Sequence, residues 1–409
     1  MRALALVGAA LAAVGCFGSA KAGRTALPTL SVAPTGSDTN PCTTAAPCAS
    51  FDRAYRVAQP GQIVEVAAGA YPDQRIGFDA SKTSPTDVVF RPAAGASVVV
   101  GSKPLDEHHR TTVGIDVDHA KHVTFANMTV RGDVTASDGA EDVTFSNLVD
   151  DNGVPGVSAP TRAITYRGGS YGNALDYFAQ VYPSDNGTHN YDFTIDGAVL
   201  HDIRSDDLNQ FHVTCMLVAD AIGARIRDLK TFNCDVFDVE LGSFGDGVLS
   251  NLLVENNALG STGPTVNASL ALNTNTTSWH GLNVRNNSVL APMRHPDCTN
   301  GCTNVRYSGN VSPLPGFFPG ACVAAVTYRH NVWYGGTKKC NKTDVAVANP
   351  RFVNADGSPP DLHLATGSPA IGRGDPMNAP RTDIDGQMRP YGKPRPHKRR
   401  VDAGADQLP

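Results

Sequence analysis

Charge is what this sequence has least of. Only 18% of its 409 residues are Asp, Glu, Lys or Arg, against 41% hydrophobic residues. Long surface helices lean on Glu, Lys and Arg, so a chain this poor in them is not built from such helices. The net charge is −5. A phosphate backbone needs a basic surface, so this balance argues against nucleic acid as a partner. Beyond the first 22 residues there is no apolar run long enough for a transmembrane segment. The Leu-x-x-Leu-x-Leu spacing of leucine-rich repeats is missing. So are a P-loop, a Gly-x-Ser-x-Gly elbow and the Gly-Gly-x-Gly-x-Asp calcium repeat.

Glycine and proline, at 40 and 28 residues, are plentiful and favour turns and strands. Residues 1–22 read as a signal peptide. Arg2 precedes the apolar stretch "ALALVGAALAAVGCFG", and Ala20-Lys21-Ala22 offers a cleavage site before Gly23. The mature protein is therefore expected to be secreted; the alternative is a lipoprotein anchored at Cys16. Export permits disulfides. Without Cys16, eight cysteines remain in close sequential pairs: Cys42 and Cys48, Cys215 and Cys234, Cys298 and Cys302, Cys322 and Cys340. Sequence cannot fix connectivity. The nearest-neighbour pairing is expected because each bond would close a short local loop. Zinc on "CTNGC" is the alternative, but only His295 lies nearby to complete it.

The strongest signal is repetition. "VTFANMTV" (123–130), "VTFSNLVD" (143–150), "ITYRGGSY" (164–171), "FTIDGAVL" (193–200), "ARIRDLKT" (224–231), "GVLSNLLV" (247–254), "LNVRNNSV" (282–289), "VRYSGNVS" (305–312) and "VTYRHNVW" (326–333) line up. Their third positions run Phe125, Phe145, Tyr166, Ile195, Ile226, Leu249, Val284, Tyr307 and Tyr328, spaced 20 to 35 residues apart. Alternating apolar residues give a strand with one buried face. The Asn, Asp or Gly that follows tolerates the left-handed backbone of a sharp corner. A strand, a corner and a second strand, recurring roughly every 22 residues, make one coil of a parallel β-helix. The longer intervals hold loops leaving one side of the column. Before the repeats, residues 50–61 read as a short helix capped by Ser50 and stopped by Pro60-Gly61. Such a helix can cover the open end of a column.

The stretch "GSDTNPCTTAAPCASFDRAYRVAQPGQIVEVAAGAYPDQ" resembles the opening segment of secreted bacterial right-handed parallel β-helix proteins of the pectate-lyase-like superfamily. "PRFVNADGSPPDLHLATGSPAIGRGDP", "RTDIDGQMRP" and "VDAGADQ" resemble their closing segment. The resemblance spans about residues 32 to 408. It implies an all-β, single-stranded right-handed parallel β-helix with an N-terminal helical cap and an irregular C-terminal closing segment. The expected parts are a cap segment at 32–60, the helix at 61–343, and a closing segment with a basic tail at 344–409. The superfamily includes lyases, hydrolases, epimerases and tailspikes, so fold alone does not select an activity. The Asn-Thr-Asp, Asp-Asp and Gly-His-Gly set of polygalacturonases is absent apart from a lone Asp-Asp.

Hydrolysis of a glycan needs two carboxylates. Elimination from a uronate needs a base, and a cation such as Ca²⁺ held by Asp or Glu. The acids outside the repeat pattern concentrate in 201–245. Laying 216–229 on 239–252 places Ile226 over Leu249, Cys215 level with Asp238, and His212 level with Asp235. Neighbouring coils lie about 5 Å apart, so Asp206, Asp207, His212, Asp235, Asp238 and Glu240 form the expected catalytic group. Arg225, Arg227 and Lys230 read as alternating outward along one strand, ready for an acidic sugar or simply solvated. Asp228 reads as a corner residue. "DEHHR" (106–110) and "DVDHAKH" (116–122) carry metal-ligand types without the spacing of a helix-borne pair. The function expected is an extracellular lyase or hydrolase of acidic polysaccharide, with Ca²⁺ as cofactor if it is a lyase. The competing expectation is a non-catalytic β-helix that binds polysaccharide or cell-envelope glycan.

Overall fold

A computed structural model describes residues 27–102, 112–150, 152–175, 179–205, 213–243, 246–272, 278–314, 322–390 and 400–408. Within them the chain winds as a right-handed parallel β-helix with three long parallel sheets. We name them broad, middle and short, with 15, 12 and 8 described strands. One coil runs through Lys121–Ala126 in the broad sheet, Thr129–Val130 in the middle sheet and Asp133–Ser137 in the short sheet. The next coil begins at Glu141–Ser146, with Phe125 paired to Phe145.

The inward residues explain the column. Phe90, Phe125, Phe145 and Tyr166 are fully buried and stack with centroids 5.2, 5.6 and 4.9 Å apart. Each such ring contributes about 1.5–3 kcal/mol by leaving water. The helix Phe51–Val57 closes one end. Ser50 accepts the Arg53 N–H as its cap, and Phe51 stacks on Phe90 at 5.1 Å.

Many coils turn at two left-handed positions, three residues before and two residues after the buried third position. Asn127, Asn147, Asp228, Asn256 and Asn286 occupy the second, with φ between 50° and 59°. His122, Asp142, Asp192 and Asn251 occupy the first, with φ between 54° and 56°. This periodicity corrects one rung. Ile226 pairs with Val254, not Leu249; Leu249 pairs with Ala221. Val254 in turn pairs with Val284, so these coils repeat at 28 and 30 residues, not 23 and 35.

Inside the middle-sheet corner an amide ladder runs along the last coils. Asn257 Nδ2 donates to Asn287 Oδ1 at 2.8 Å, Asn287 Nδ2 to Asn310 Oδ1 at 2.9 Å, and Asn310 Nδ2 to Asn331 Oδ1 at 3.0 Å. All four are fully buried. Asp344 ends the ladder, accepting from Asn331 N–H and from Trp333 Nε1. The closing segment doubles back along this flank. Buried Arg389 donates to the carbonyls of Gly404 and Ala405 and to Asn256 Oδ1. Burial lowers its pKa to about 10.

All four disulfides form in the nearest-neighbour pattern, with Cα–Cα distances of 4.6 to 5.4 Å. Such bonds persist in oxidising compartments. No helix among the described residues is long and apolar enough to cross a membrane.

Candidate functional site

The short sheet carries the face on which the acids of 235–240 can be judged. Its register aligns one outward row, from Arg75 through Asp116, Thr135, Gly156, Gln180 and Leu217 to Glu240 and Ala271. Met293 bridges Leu270, which brings Arg294 beside Ala271. Leu217 and Ala271 are buried, while Gln180, Glu240 and Arg294 are partly exposed. The Arg294 guanidinium lies over the Phe237 ring, 4.9 Å from its centroid. Tyr182, also partly exposed, ends the strand Ala179–Tyr182.

Electrostatics tie these groups to Glu240. Burial raises the Tyr182 phenol, and the Glu240 charge adds to the rise. Burial lowers Arg294, and Glu240 opposes that shift. The arrangement is an apolar floor of Leu217, Ala271 and Phe237 edged by a phenol, a carboxylate and a guanidinium. Apolar floors with few convergent polar groups are the usual build of ligand sites.

The expected catalytic group is only partly assembled. Asp206, Asp207 and His212 lie outside the described residues. Glu240 faces outward, as its alternation with Val239 and Leu241 requires. Cys215 is level with Asp238, since Thr214 pairs with Phe237 and Met216 with Val239. But Asp238 is fully buried, accepting from Thr231 Oγ1 at 2.8 Å and from the Ser261 N–H at 3.2 Å. Burial raises its pKa against those hydrogen bonds. Asp235 is also buried; it accepts the Ser205 N–H at 2.6 Å and lies 3.5 Å from Arg204 Nε. Both acids satisfy backbone donors at corners and do not share a groove with Glu240.

The cations are likewise separated. Asp228, at φ 53°, turns the chain between Arg225–Arg227 and Lys230–Phe232. Arg225 and Arg227 therefore alternate about buried Ile226 on one broad-sheet strand, while Lys230 lies on the middle sheet and does not continue that alternation. Arg227 Nη2 pairs with Asp196 at 2.6 Å, and on the same outward row Arg285 pairs with Glu255. Lys230 Nζ stands 3.8 Å from Asp385, beside a cavity of about 300 Å³ lined by Phe232, Leu362, His363 and Asp406.

Tyr182 and Arg294 escaped the sequence reading because the repeat template covers broad- and middle-sheet strands and leaves out the short sheet. Their signal would have been a second template, offset onto Ala179–Tyr182, Phe237–Leu241 and Ala268–Leu272. Asp220 escaped it too. Fully buried, it accepts from Asn190 N–H and Val248 N–H and contacts His189 Nδ1, tying adjacent coils beside this face.

No protein-family model matches the sequence, and no curated protein matches it. Among solved structures the chain is similar to XylC in complex with xylose, with a TM-score of 0.54 and 10% identity over 92% of this chain and 98% of that one. It is also similar to pectate lyase Pel9A, with a TM-score of 0.50 and 13% identity over 94% and 97%. At these identities the likeness is one of architecture, and the chain is a parallel β-helix of the kind that pectate lyase adopts.

Proposed function

We propose that this protein is an extracellular carbohydrate-active β-helix, a lyase or hydrolase of acidic polysaccharide, with the glycan lying across the outer face of the short sheet. The observation that supports this most is the grouping of Tyr182, Glu240 and Arg294 around the Leu217–Phe237–Ala271 floor. Sugar rings have apolar faces suited to such a floor. A half-buried guanidinium suits a uronate carboxylate, because its forked donors match two oxygens. In this reading Arg294 binds the uronate carboxylate and stabilises charge developing next to it. Glu240 or the Tyr182 phenol exchanges protons with the substrate. Asp206, Asp207 and His212, on the segment entering Thr214–Val218, are proposed to complete the edge. Asp238 is sealed in the interior and Asp235 is engaged by Ser205 and Arg204, so the two do not build a calcium cage beside Glu240, and no step is assigned to a metal. The similarity to a pectate lyase and to a xylose-binding β-helix agrees with a glycan ligand.

A second reading, a non-catalytic polysaccharide-binding protein, is favoured by one observation: two of the acids that could have paired with Glu240 are structural. One experiment separates the readings. A panel of polyuronates and neutral glycans is assayed for unsaturated uronate absorbance, for reducing ends and for retardation in affinity gels. The catalytic reading expects product, reduced at least about tenfold in Glu240→Gln and Arg294→Lys. Retardation without product, weakened by Arg294→Lys, supports the binding reading. Neither product nor retardation overturns both.

A further inference from the structure

"DVDHAKH" is the motif that the proposed glycan site leaves unused. The fold gives it a partner on each side. His122 occupies the first left-handed position of its coil, three residues before Phe125. Asp87 stands in register with it in the preceding coil, three residues before Phe90, because Val88 pairs with Val123. In the following coil the same position is Asp142, because Val123 pairs with Val143. Three metal-ligand side chains therefore stand in line on successive rungs of the broad sheet. Their ligand atoms all lie within 4.8 Å of one another. The His122 Nδ1 to Asp142 Oδ2 distance is 2.8 Å. Two ligands about 2.0–2.1 Å from one ion stand roughly 3 Å apart at the edge of its coordination shell, so His122 and Asp142 are already at that spacing and Asp87 has to close in from within 4.8 Å.

Two further features separate this cluster from its rivals. The Asp87 carboxylate is already oriented, since Thr124 Oγ1 donates to its Oδ2 at 2.6 Å. Such outer hydrogen bonds are what fix metal-binding carboxylates. The cluster is also not neutralised by a neighbouring cation among the described residues: Lys121 is engaged by Glu141 at 2.5 Å. By contrast, Asp118, beside His119 and Asp138, is held by Arg75. Asp385, beside His363 and Asp406, is approached by Lys230. The His122 side chain is 15% exposed and that of Asp142 is 42% exposed. The imidazole is thus held in place while one side of the cluster stays open for water ligands.

We infer that Asp87, His122 and Asp142 form a binding site for a first-row divalent ion of the zinc class, clamping three successive coils of the broad sheet. One imidazole and two carboxylates suit Zn²⁺ or Co²⁺, whereas Ca²⁺ takes oxygen ligands throughout.

The test is calorimetric titration of the full chain, stripped with chelator, with Zn²⁺, beside the visible absorption of its Co²⁺ form. His122→Asn and Asp142→Asn keep a residue that tolerates left-handed φ, so the coil geometry is preserved. Circular dichroism checks that each variant is folded. The expected result is one saturable Zn²⁺ per chain, weakened at least about tenfold in each variant and unchanged in His119→Asn. Absence of saturable binding in the parent chain overturns the assignment. So does equal affinity in the folded variants, or a loss confined to His119→Asn. If His122→Asn does not fold, the exposed Asp142→Asn decides alone.

Discussion

Replacing Asp228 by Asn isolates what an acid costs at a coil corner. Asp228 sits at φ 53° in the second left-handed position, where Asn127, Asn147, Asn256 and Asn286 stand in other coils. Its Oδ1 is buried and finds no hydrogen-bond partner among the described residues. Burial, with help from the Asp196 and Glu255 charges, pushes its pKa up to about 7, against the Asn256 hydrogen bond and Arg227. The unfolded chain releases this proton near about 3.9. Between those values the folded state holds a proton that the unfolded state has lost, so stability falls as pH rises through the window. The benefit is complete below the unfolded value and gone above about 7. The full displacement corresponds to about 4 kcal/mol. Solvent reaches this partly exposed group and screens it, which leaves about 1–2 kcal/mol. Asparagine has the same shape, carries no charge and tolerates the same backbone. Asp228→Asn is therefore expected to gain about 1–2 kcal/mol over the parent near pH 9 and almost nothing near pH 4. Urea unfolding followed by fluorescence of Trp279 and Trp333 reads the coils on this side of the column. A gain of equal size at both pH values would refute the electrostatic argument. A loss at high pH would show that the carboxylate is needed charged.

The remaining predictions concern what locks the coils together. Asn310→Ala removes the acceptor for Asn287 N–H and Nδ2 and the donor to Val284 O. With several buried groups left unpaired, urea unfolding should show a loss of about 3–5 kcal/mol; a loss under about 1 kcal/mol would mean that the ladder is passive. The double variant Cys215→Ala/Cys234→Ala opens a loop of sequence separation 19. It should lose about 3 kcal/mol in a non-reducing melt and nothing relative to the parent once both are reduced.

The broad-sheet coils were legible because their inward positions have to be apolar and their corners have to be left-handed. Phe125, Tyr166 and Ile195 obey both demands, and they stack as the pattern predicts. The one slipped rung shows where that reading is weak. Asn251 is left-handed, but at the first turn of its coil, with Asn256 at the second. The two turns are five residues apart, and "GVLSN" satisfies the template at the wrong one. Pairing settles the choice, since Leu252 meets Leu282 and Val254 meets Val284. The extension of the Arg225 and Arg227 alternation to Lys230 failed for a related cause: periodicity of two cannot be carried across a corner, and Asp228 is one.

The candidate site was less legible because outward positions obey no packing rule. Along the short sheet the outward row changes from Arg75 to Gly156 to Leu217 to Glu240 with no shared residue type. A departure from the repeat can then mean two different things. Asp235 and Asp238 depart from it because backbone N–H groups at corners need acceptors, and each buried carboxylate takes one, Asp235 that of Ser205 and Asp238, from within its strand, that of Ser261. Glu240 departs from it on a strand, where the backbone is already paired with its neighbours. An off-pattern acid whose carboxylate is buried against backbone donors thus has a structural task, whereas Glu240 faces outward from a strand whose backbone is already paired. The same test, applied to His122 and Asp142, points the other way from their corner position: their side chains meet each other and Asp87. Burial of the carboxylate is therefore the first sorting, and the direction of the side chain's hydrogen bonds, toward backbone or toward other ligating groups, is the second.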